Sequence, residues 1–315
     1  MRYVRQTLTL VVVTALLAFP RDAMAWNRAG HMVSGAIAYR ELLARDPAAA
    51  RRAIELLRAH PAYQSRWLPM INAHGIADHD ILLFMLAARW PDDVRDEPRY
   101  DHPTWHYINL PVIPPGDTTR PPSGTSGELV IETAHNLAVL RDAESSDADR
   151  AIALSWVLHL VGDIHQPLHA TNFFSTRWPQ GDRGGNGMFI RATPTGQSIN
   201  LHSFWDGLII GSDDTRSTMN RAIALRAAHP AGPLATQIAV LSPMTWAADE
   251  SLPLARQHAY LGGSLGAGTV RDSAGVLPAT YASNAQRVAE ERVTLAGYRM
   301  GALIAGALKP ASARR

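Results

Sequence analysis

The chain has 315 residues, of which 46% are hydrophobic and 18% are charged, and it contains no cysteine. This composition excludes a collagen-like, an intrinsically disordered and a disulfide-rich protein, and the length is sufficient for a sizeable core. The formal net charge of +2 falls to zero without the first 25 residues, because 27 basic and 27 acidic side chains then remain. The remaining chain lacks the basic excess that phosphate-binding proteins usually show.

The first 25 residues have the pattern of a secretory signal peptide. Arg2 and Arg5 precede an apolar run at 8–18, and an Ala-Met-Ala sequence ends at Ala25. A run of roughly eleven residues is too short to span a bilayer, which needs about 20. We expect cleavage after Ala25 and an exported domain over 26–315, periplasmic or secreted and without stable membrane association.

The rest of the chain has helical periodicity almost throughout. The predicted helices cover 29–45, 46–59, 78–89, 128–143, 147–164, 217–228, 234–242, 246–261 and 281–308. Period-two alternation is scarce, and it allows one short strand pair formed by 188–190 and 198–200. The sequence therefore predicts a mainly α-helical, single multi-helix domain with room for one short β-hairpin, and the last few residues are expected to be disordered.

Three longer segments interrupt this helical pattern. Residues 112–127 are rich in proline and glycine, residues 171–187 contain the sequence GDRGGNG, and residues 262–278 are irregular. Loops of this length inside a compact domain are often functional.

Two histidine–aspartate pairs carry the chemistry. His159 and Asp163 are four residues apart, as are His202 and Asp206, so each pair lies on one face of a helix. A single pair of this kind is usually an ordinary surface pair. Two pairs together with His169 provide most of the ligands for two metal sites, and imidazole with carboxylate suits zinc.

The start of the mature chain offers a further chelate. If Trp26 becomes the first residue, its α-amine and carbonyl oxygen can close a five-membered ring around a metal ion, with His31 in reach after one turn. The same segment is also compatible with an ordinary helix start that buries a tryptophan.

Several motifs in this order resemble one known family. They are WNRAGH at 26–31, WPD at 90–92, WHYIN at 105–109, HLVGDIHQPLH at 159–169, GGN at 184–186 and NLHSFWD at 200–206. Together they resemble the S1/P1 nucleases, zinc nucleases related to zinc phospholipase C, over nearly all of the mature chain.

The resemblance implies three zinc ions in the cleft of a mainly helical domain. One ion would be held by Asp92, His106, His159 and Asp163. The second would be held by His169, His202 and Asp206. The third would be held by the Trp26 amine and carbonyl, His31 and Asp163. Three Zn²⁺ against three ligand aspartates would leave about +3 in the cleft, which supplies the positive charge that the polypeptide lacks.

The resemblance also implies roles in catalysis and substrate binding. Arg95 matches an arginine that contacts the phosphate, and it joins Asp92 and Asp163 as a catalytic residue. Tyr107 matches an aromatic residue that stacks on a base, and Gly185 and Asn186 lie beside the base pocket.

Two positions depart from the family pattern. Asn27 replaces the glycine that usually follows the tryptophan, so the backbone at the third metal is expected to sit differently. Asn109 stands where many members have an aspartate that orients the attacking water or accepts a proton. Asparagine can position a water molecule but cannot act as a base at neutral pH. The absence of cysteine is typical of a bacterial relative.

The resemblance implies an exported, monomeric zinc endonuclease that hydrolyses single-stranded DNA and RNA to 5′-nucleotides and also acts on 3′-nucleotides. A zinc phospholipase C is the alternative. The five-residue step from Trp26 to His31 and the His-Asp character of the last ligand pair favour the nuclease. A non-catalytic zinc-binding or nucleic-acid-binding protein would require a damaged set of ligands, and every expected ligand is present.

Overall fold

The computed structural model describes residues 26–124 and 126–309. The predicted signal peptide at 1–25 and the last few residues, at 310–315, lie outside this part. The α-helices in it are α1 Arg28–Arg45, α2 Pro47–Arg58, α3 Leu68–Ala73, α4 His79–Asp93, α5 Leu129–Arg141, α6 Asp147–His165, α7 Leu201–Asp206, α8 Thr215–Ala228, α9 Ala235–Ala239, α10 Pro243–Thr245, α11 Leu252–Leu254 and α12 Tyr281–Leu308.

Short 3-10 and π-helical turns complete the helical part. The 3-10 turns are Pro103–His106, Pro167–Ala170, Leu261–Gly263 and Arg271–Ser273, and the π-helical turns are Tyr63–Trp67, Trp246–Ser251 and Ala255–Ala259. The strands are β1 Leu110–Val112, β2 Thr171–Phe173, β3 Phe189–Arg191, β4 Ile199–Asn200 and β5 Gly275–Val276. Strands β1 and β2 pair in parallel, while β3 lies between antiparallel β4 and parallel β5.

Helix α6 runs through the middle of the molecule. Ser146 caps its start by accepting the N–H of Asp149, and the helix packs on α2, α4, α5 and α12. Every residue from 153 to 165 is buried. A helix that is buried on all sides is normally apolar, so polar side chains in its second half need partners inside the protein.

Two hydrophobic clusters meet beside that half of α6. The larger cluster is formed by α1, α2, α4, α5, α6 and α12 and includes Leu158 and Leu160 on either side of His159. The smaller cluster is formed around β3, α7 and the start of α12, and it includes Leu168 and Leu201. His169 and His202 directly follow these two leucines of the smaller cluster, whereas His159 lies between two leucines of the larger one. The three histidines therefore lie where the two clusters meet.

The mainly α-helical prediction is confirmed, and the strand pair is present with Phe189 opposite Asn200. The segment 246–261, which was predicted as one α-helix, instead consists of π-helical turns on either side of the short helix α11. Sequence patterns missed α3, the β1–β2 pair and β5, which adds a strand inside the stretch at 262–278. No helix in the described part of the chain has the length and apolar character required to cross a bilayer.

Candidate metal centre

Helices α1 and α6 bring the first group of buried ligand atoms together. His159 and Asp163 lie one turn apart on α6, and the ring of His31 on α1 stacks on His159 with 3.8 Å between centroids. The Nε2 atom of His31 lies 3.3 Å from Oδ1 of Asp163. All three side chains are completely buried.

Asp92 and His106 join this group from two other segments of the chain. Asp92 comes at the end of α4, and His106 ends the 3-10 turn that precedes β1. Nδ1 of His106 lies 3.0 Å from Nε2 of His159 and 3.2 Å from Oδ2 of Asp163. Oδ1 of Asp92 lies 3.8 Å from the same His159 nitrogen. His159 therefore belongs to two sets of possible ligands, one with His31 and Asp163 and one with Asp92 and His106.

His169, His202 and Asp206 form a third buried group. Nε2 of His169 lies 3.0 Å from Nε2 of His202 and 3.7 Å from Oδ1 of Asp206. Nε2 of His202 lies 3.6 Å from Oδ2 of Asp206, its neighbour one turn along α7. One donor atom from each residue lies within 4.8 Å of the other two.

Backbone carbonyls fix the tautomer of three rings. The Nδ1 atoms of His159, His169 and His202 donate to the carbonyl oxygens of Ala88, His106 and Gly184 at 2.9, 2.6 and 2.6 Å. A carbonyl oxygen can only accept, so the proton of each neutral ring sits on Nδ1 and Nε2 keeps a lone pair. Metal-binding histidines are commonly oriented in this way.

Burial also keeps these rings neutral. Desolvation lowers the pKa of His159 to about 3 and that of His169 to about 4, and it lowers the pKa of His202. The Nε2 atoms of His169 and His202 are then two acceptors facing each other without a hydrogen. A cation between them removes this conflict, and two nitrogen ligands of one tetrahedral zinc lie about 3.3 Å apart.

The carboxylates of the site also indicate that the site binds a cation. Burial raises the pKa of Asp92, of Asp163 and, to about 7, of Asp206. One oxygen of each carboxylate and both ring nitrogens of His31 have no hydrogen-bond partner although they are buried. Unpaired buried polar atoms of this kind are costly, and a bound cation would satisfy the carboxylate oxygens and the one ring nitrogen of His31 that carries a lone pair. The residues present therefore fit a metal centre with histidine and aspartate ligands.

Comparison with known proteins identifies the family of this chain. A family model described as S1/P1 Nuclease matches residues 26–309. The chain belongs to the S1/P1 nuclease family. It is 32% identical to nuclease S1 of Aspergillus oryzae over 126 residues, which are 38% of this chain and 39% of that protein.

Two plant endonucleases are also similar to this chain. Endonuclease 2 of Arabidopsis thaliana is 29% identical over 210 residues, covering 64% of this chain and 61% of that protein. Endonuclease 4 of the same plant is 29% identical over 139 residues, covering 39% and 42%. In these matches the chain thus spans between about two fifths and three fifths of the length of its relatives.

The start of the described chain is anchored beside the ligands. The buried indole of Trp26 donates from Nε1 to the Gly162 carbonyl at 2.9 Å. Asn27 donates from its backbone to the Asp206 carbonyl and from Nδ2 to the Ile210 carbonyl. Its Oδ1 accepts the N–H of Gly30 and so caps α1. The φ of Asn27 is −48°, so position 27 does not need a glycine. This S1/P1 family member therefore has asparagine in place of the expected glycine without backbone strain.

Arg95 is already bound to a predicted ligand. Its Nε and Nη2 both donate to Oδ1 of Asp92, at 3.0 and 2.7 Å, which leaves Oδ2 of that carboxylate unpaired. Nη1 of Arg95 makes no hydrogen bond within the described residues. The arginine thus orients Asp92 and keeps one edge of its guanidinium for another acceptor.

Tyr107 and Asn109 follow His106 but lie outside the three groups of ligand atoms. Gly127, with φ at 92°, passes so close to Tyr107 that a Cβ there would come within 2.2 Å of the tyrosine carbonyl oxygen. The amide of Asn109 is turned to Ser126, with Nδ2 donating to Oγ at 2.7 Å. The roles expected for these two side chains depend on substrate and stay predictions.

The glycine loop is bound to the third group of ligands. Gly184 and Gly185 have φ values of 61° and 89°, and the Gly184 carbonyl is the one that holds His202. Asn186 donates from Nδ2 to the Arg183 carbonyl at 2.9 Å, so its side chain also stabilises the loop. The assignment of Gly185 and Asn186 to a base pocket remains a prediction.

Sequence reasoning missed the groups that hold the ligands in place. Gln166 donates from Nε2 to Oδ1 of Asp206 at 2.7 Å and leaves Oδ2 of this aspartate unpaired. Buried Asp182 accepts the N–H groups of Phe173 and Gly185, both at 2.7 Å, and so holds the glycine loop. Their positions inside HLVGDIHQPLH and GDRGGNG were the available signal, whereas the three carbonyl acceptors have no signature in the sequence.

Proposed function

We propose that this S1/P1 nuclease family member is a zinc-dependent endonuclease. It hydrolyses single-stranded DNA and RNA to 5′-nucleotides and removes the phosphate of 3′-nucleotides. The proposal is carried by the two neutral rings of His169 and His202, whose Nε2 lone pairs face each other at 3.0 Å beside Asp206. The donor set of uncharged imidazoles and carboxylates is the one that zinc prefers.

The proposed centre contains three zinc ions. The ligands of the first are Asp92, His106, His159 and Asp163, those of the second are His169, His202 and Asp206, and those of the third are the amine and carbonyl of Trp26, His31 and Asp163. Bound zinc ions supply Lewis-acid polarisation of the phosphoryl oxygens and a water nucleophile that is active near neutral pH. The amine ligand requires cleavage after Ala25, so the proposal includes export to the periplasm or secretion.

The side chains around the ligands bind and orient the substrate. Arg95 donates its free Nη1 to a non-bridging phosphate oxygen, and its bond to Asp92 fixes the direction of the guanidinium. Asn109 is tethered to Ser126 through Nδ2, so its Oδ1 is available to hold the proton of a water molecule without removing it. Catalysis therefore requires no protein carboxylate as general base at position 109.

The preference of the enzyme for single strands follows from the stacking of a base on an aromatic side chain. Tyr107 offers a flat face to one base, and Gly185 and Asn186 border the same base. Such stacking is worth about 1–3 kcal/mol per base and tolerates any sequence. A base must leave its neighbours to stack in this way, which costs less in a single strand than in a duplex.

The test combines a metal count with a substrate panel. The protein cleaved after Ala25 is analysed for zinc and then assayed on single-stranded DNA, duplex DNA, RNA, 3′-AMP and phosphatidylcholine. We expect about three zinc ions per chain and 5′-phosphate products from both single strands, with slower cleavage of the duplex. Hydrolysis of phosphatidylcholine alone would identify a phospholipase C instead, and zinc binding without any hydrolysis would identify a non-catalytic protein. Light scattering is expected to show a monomer.

A further inference from the structure

The segment between His169 and His202 carries more positive than negative side chains. Residues 171–200 contain three arginines and one carboxylate, and this carboxylate, Asp182, is completely buried. Arg177 and Arg183 are exposed. The guanidinium of Arg177 lies over the Trp178 ring at 4.9 Å, next to Thr176 and its partner Asp117. Arg183 makes neither an ion pair nor a ring contact within the described residues.

The backbone of Arg183 is strained and firmly held. Its φ of 57° lies in the left-handed region, which glycine adopts freely and arginine rarely does. Its N–H donates to Oδ1 of Asn172 at 2.9 Å, and its carbonyl accepts Nδ2 of Asn186. Strain of this kind persists where the surroundings enforce it, and it is concentrated at functional sites. The two hydrogen bonds fix the backbone at position 183, so its side chain starts from a fixed place on the surface.

Arg183 directly precedes a residue that contacts a proposed metal ligand. The next residue, Gly184, provides the carbonyl that holds Nδ1 of His202 at 2.6 Å. Arg95, which binds the proposed ligand Asp92, already donates two of its N–H groups to that carboxylate. An exposed guanidinium without a partner is suited to bidentate contact with phosphate.

We infer that Arg183 binds a backbone phosphate of the nucleic-acid strand next to the scissile one. The inference rests on the proposed function, and it deepens that function by naming a contact that a polymer makes and a mononucleotide does not. Arg183 is thus a residue for strand binding, and it leaves hydrolysis of a 3′-nucleotide to the ligands and Arg95.

The decisive variant is Arg183→Gly, because it removes the guanidinium and at the same time relieves the backbone. Zinc-loaded protein is titrated with a labelled phosphorothioate single strand of about 12 nucleotides, and binding is followed by fluorescence anisotropy. We expect the Kd to rise about fivefold and the slope of log Kd against log salt to fall by about 0.7, the value for one lost phosphate contact on a single strand. The Tm is expected to stay equal or rise, and Arg183→Lys should restore most of the binding.

Two measurements separate this contact from general effects. Arg177→Ala removes the same charge from the same segment and should change the Kd less than twofold. Hydrolysis of 3′-AMP by Arg183→Gly should match the unmodified chain. Equal losses in both variants, or a parallel loss on 3′-AMP, would overturn the inference.

Two further outcomes are also decisive. A loss of binding to phosphatidylglycerol vesicles with unchanged oligonucleotide binding would show a membrane contact instead and overturn the inference. A chain that hydrolyses neither 3′-AMP nor oligonucleotides would overturn the proposed nuclease, while the anisotropy titration would still decide on Arg183.

Discussion

The Nε2 atoms of His169 and His202 face each other at 3.0 Å, and neither ring has a proton to place between them. Both protons are committed to the carbonyl oxygens of His106 and Gly184. Neutral rings in this arrangement repel, and protonated rings would be buried charges. A cation is the partner that resolves both problems, since it accepts two lone pairs at once.

Replacement of His202 by alanine should therefore remove one zinc ion. We expect two zinc ions per chain instead of three, and a loss of activity of about 100-fold or more, because phosphate charge is no longer neutralised at this site. Elemental analysis and an assay on single-stranded DNA measure both effects. His135→Ala, an exposed histidine on α5, serves as the control and should retain three ions. A full zinc complement in His202→Ala would show that the ligand is wrongly assigned.

Asp163 should be the most sensitive ligand. One of its oxygens lies 3.3 Å from Nε2 of His31, while the other lies 3.2 Å from Nδ1 of His106 and 3.4 Å from Nε2 of His159. Because it faces two groups of ligands, Asp163→Asn should cost more than one zinc ion and abolish activity. Asp149→Asn lies on the same helix at an exposed position and should change neither. A loss of one ion only would mean that Asp163 does not bridge.

The proximity within the two histidine–aspartate pairs was predictable because their geometry is local. Four residues along a helix put His159 over Asp163, and the same spacing joins His202 and Asp206, whatever the rest of the chain does. The carbonyl that orients His159 belongs to Ala88, 71 residues away, and it depends on how α4 packs against α6. Such tertiary contacts leave no periodic signal in a single sequence.

The helical winding after Trp246 shows a second limit. The apolar pattern at 246–261 predicts one α-helix, but Pro253 has no N–H and its ring crowds the preceding turn. The structure widens into π-helical turns on both sides of Leu252–Leu254 instead. The periodic pattern identifies a helical segment, and it cannot distinguish α from π winding.

With the proposed cleavage after Ala25, Trp26 should matter as a ligand. Trp26 donates to the Gly162 carbonyl, and Asn27 donates to the carbonyls of Ile210 and Asp206, so both residues are fixed beside the proposed ligands. One additional glycine before Trp26 turns the α-amine into an amide, and we expect the zinc count to fall from three to two with a strong loss of activity. The same glycine added after residue 315 should have no effect. Full activity of the N-terminally extended chain would exclude the chelate.

Tyr107 should affect substrate binding more than hydrolysis. In the proposed function its ring stacks on one base, so Tyr107→Ala should raise the KM for a single-stranded oligonucleotide about tenfold, within the range for one lost stacking contact. The kcat/KM for a phosphodiester without a base should change little. Tyr107→Phe retains the ring and should behave like the unmodified chain. An equal loss on both substrates would assign Tyr107 to the metal centre rather than to base binding.

Asp182 should give stability a distinct pH dependence. Burial raises its pKa to about 7, against about 3.9 in an unfolded chain, so the folded state binds the proton more tightly. The contribution of this carboxyl to stability is therefore largest at low pH and is lost as the pH rises from about 4 to about 7, by at most about 1.4 kcal/mol per pH unit. Asp182→Asn cannot titrate. The free energy of unfolding is measured in urea for both proteins, and the value of the variant is subtracted from that of the unmodified chain. This difference should fall over this pH range and level off above pH 7. The titration of the proposed zinc ligands is common to both proteins and cancels in the difference. A difference that stays constant between pH 4 and 8 would show that Asp182 is ionised throughout, held by the N–H groups of Phe173 and Gly185.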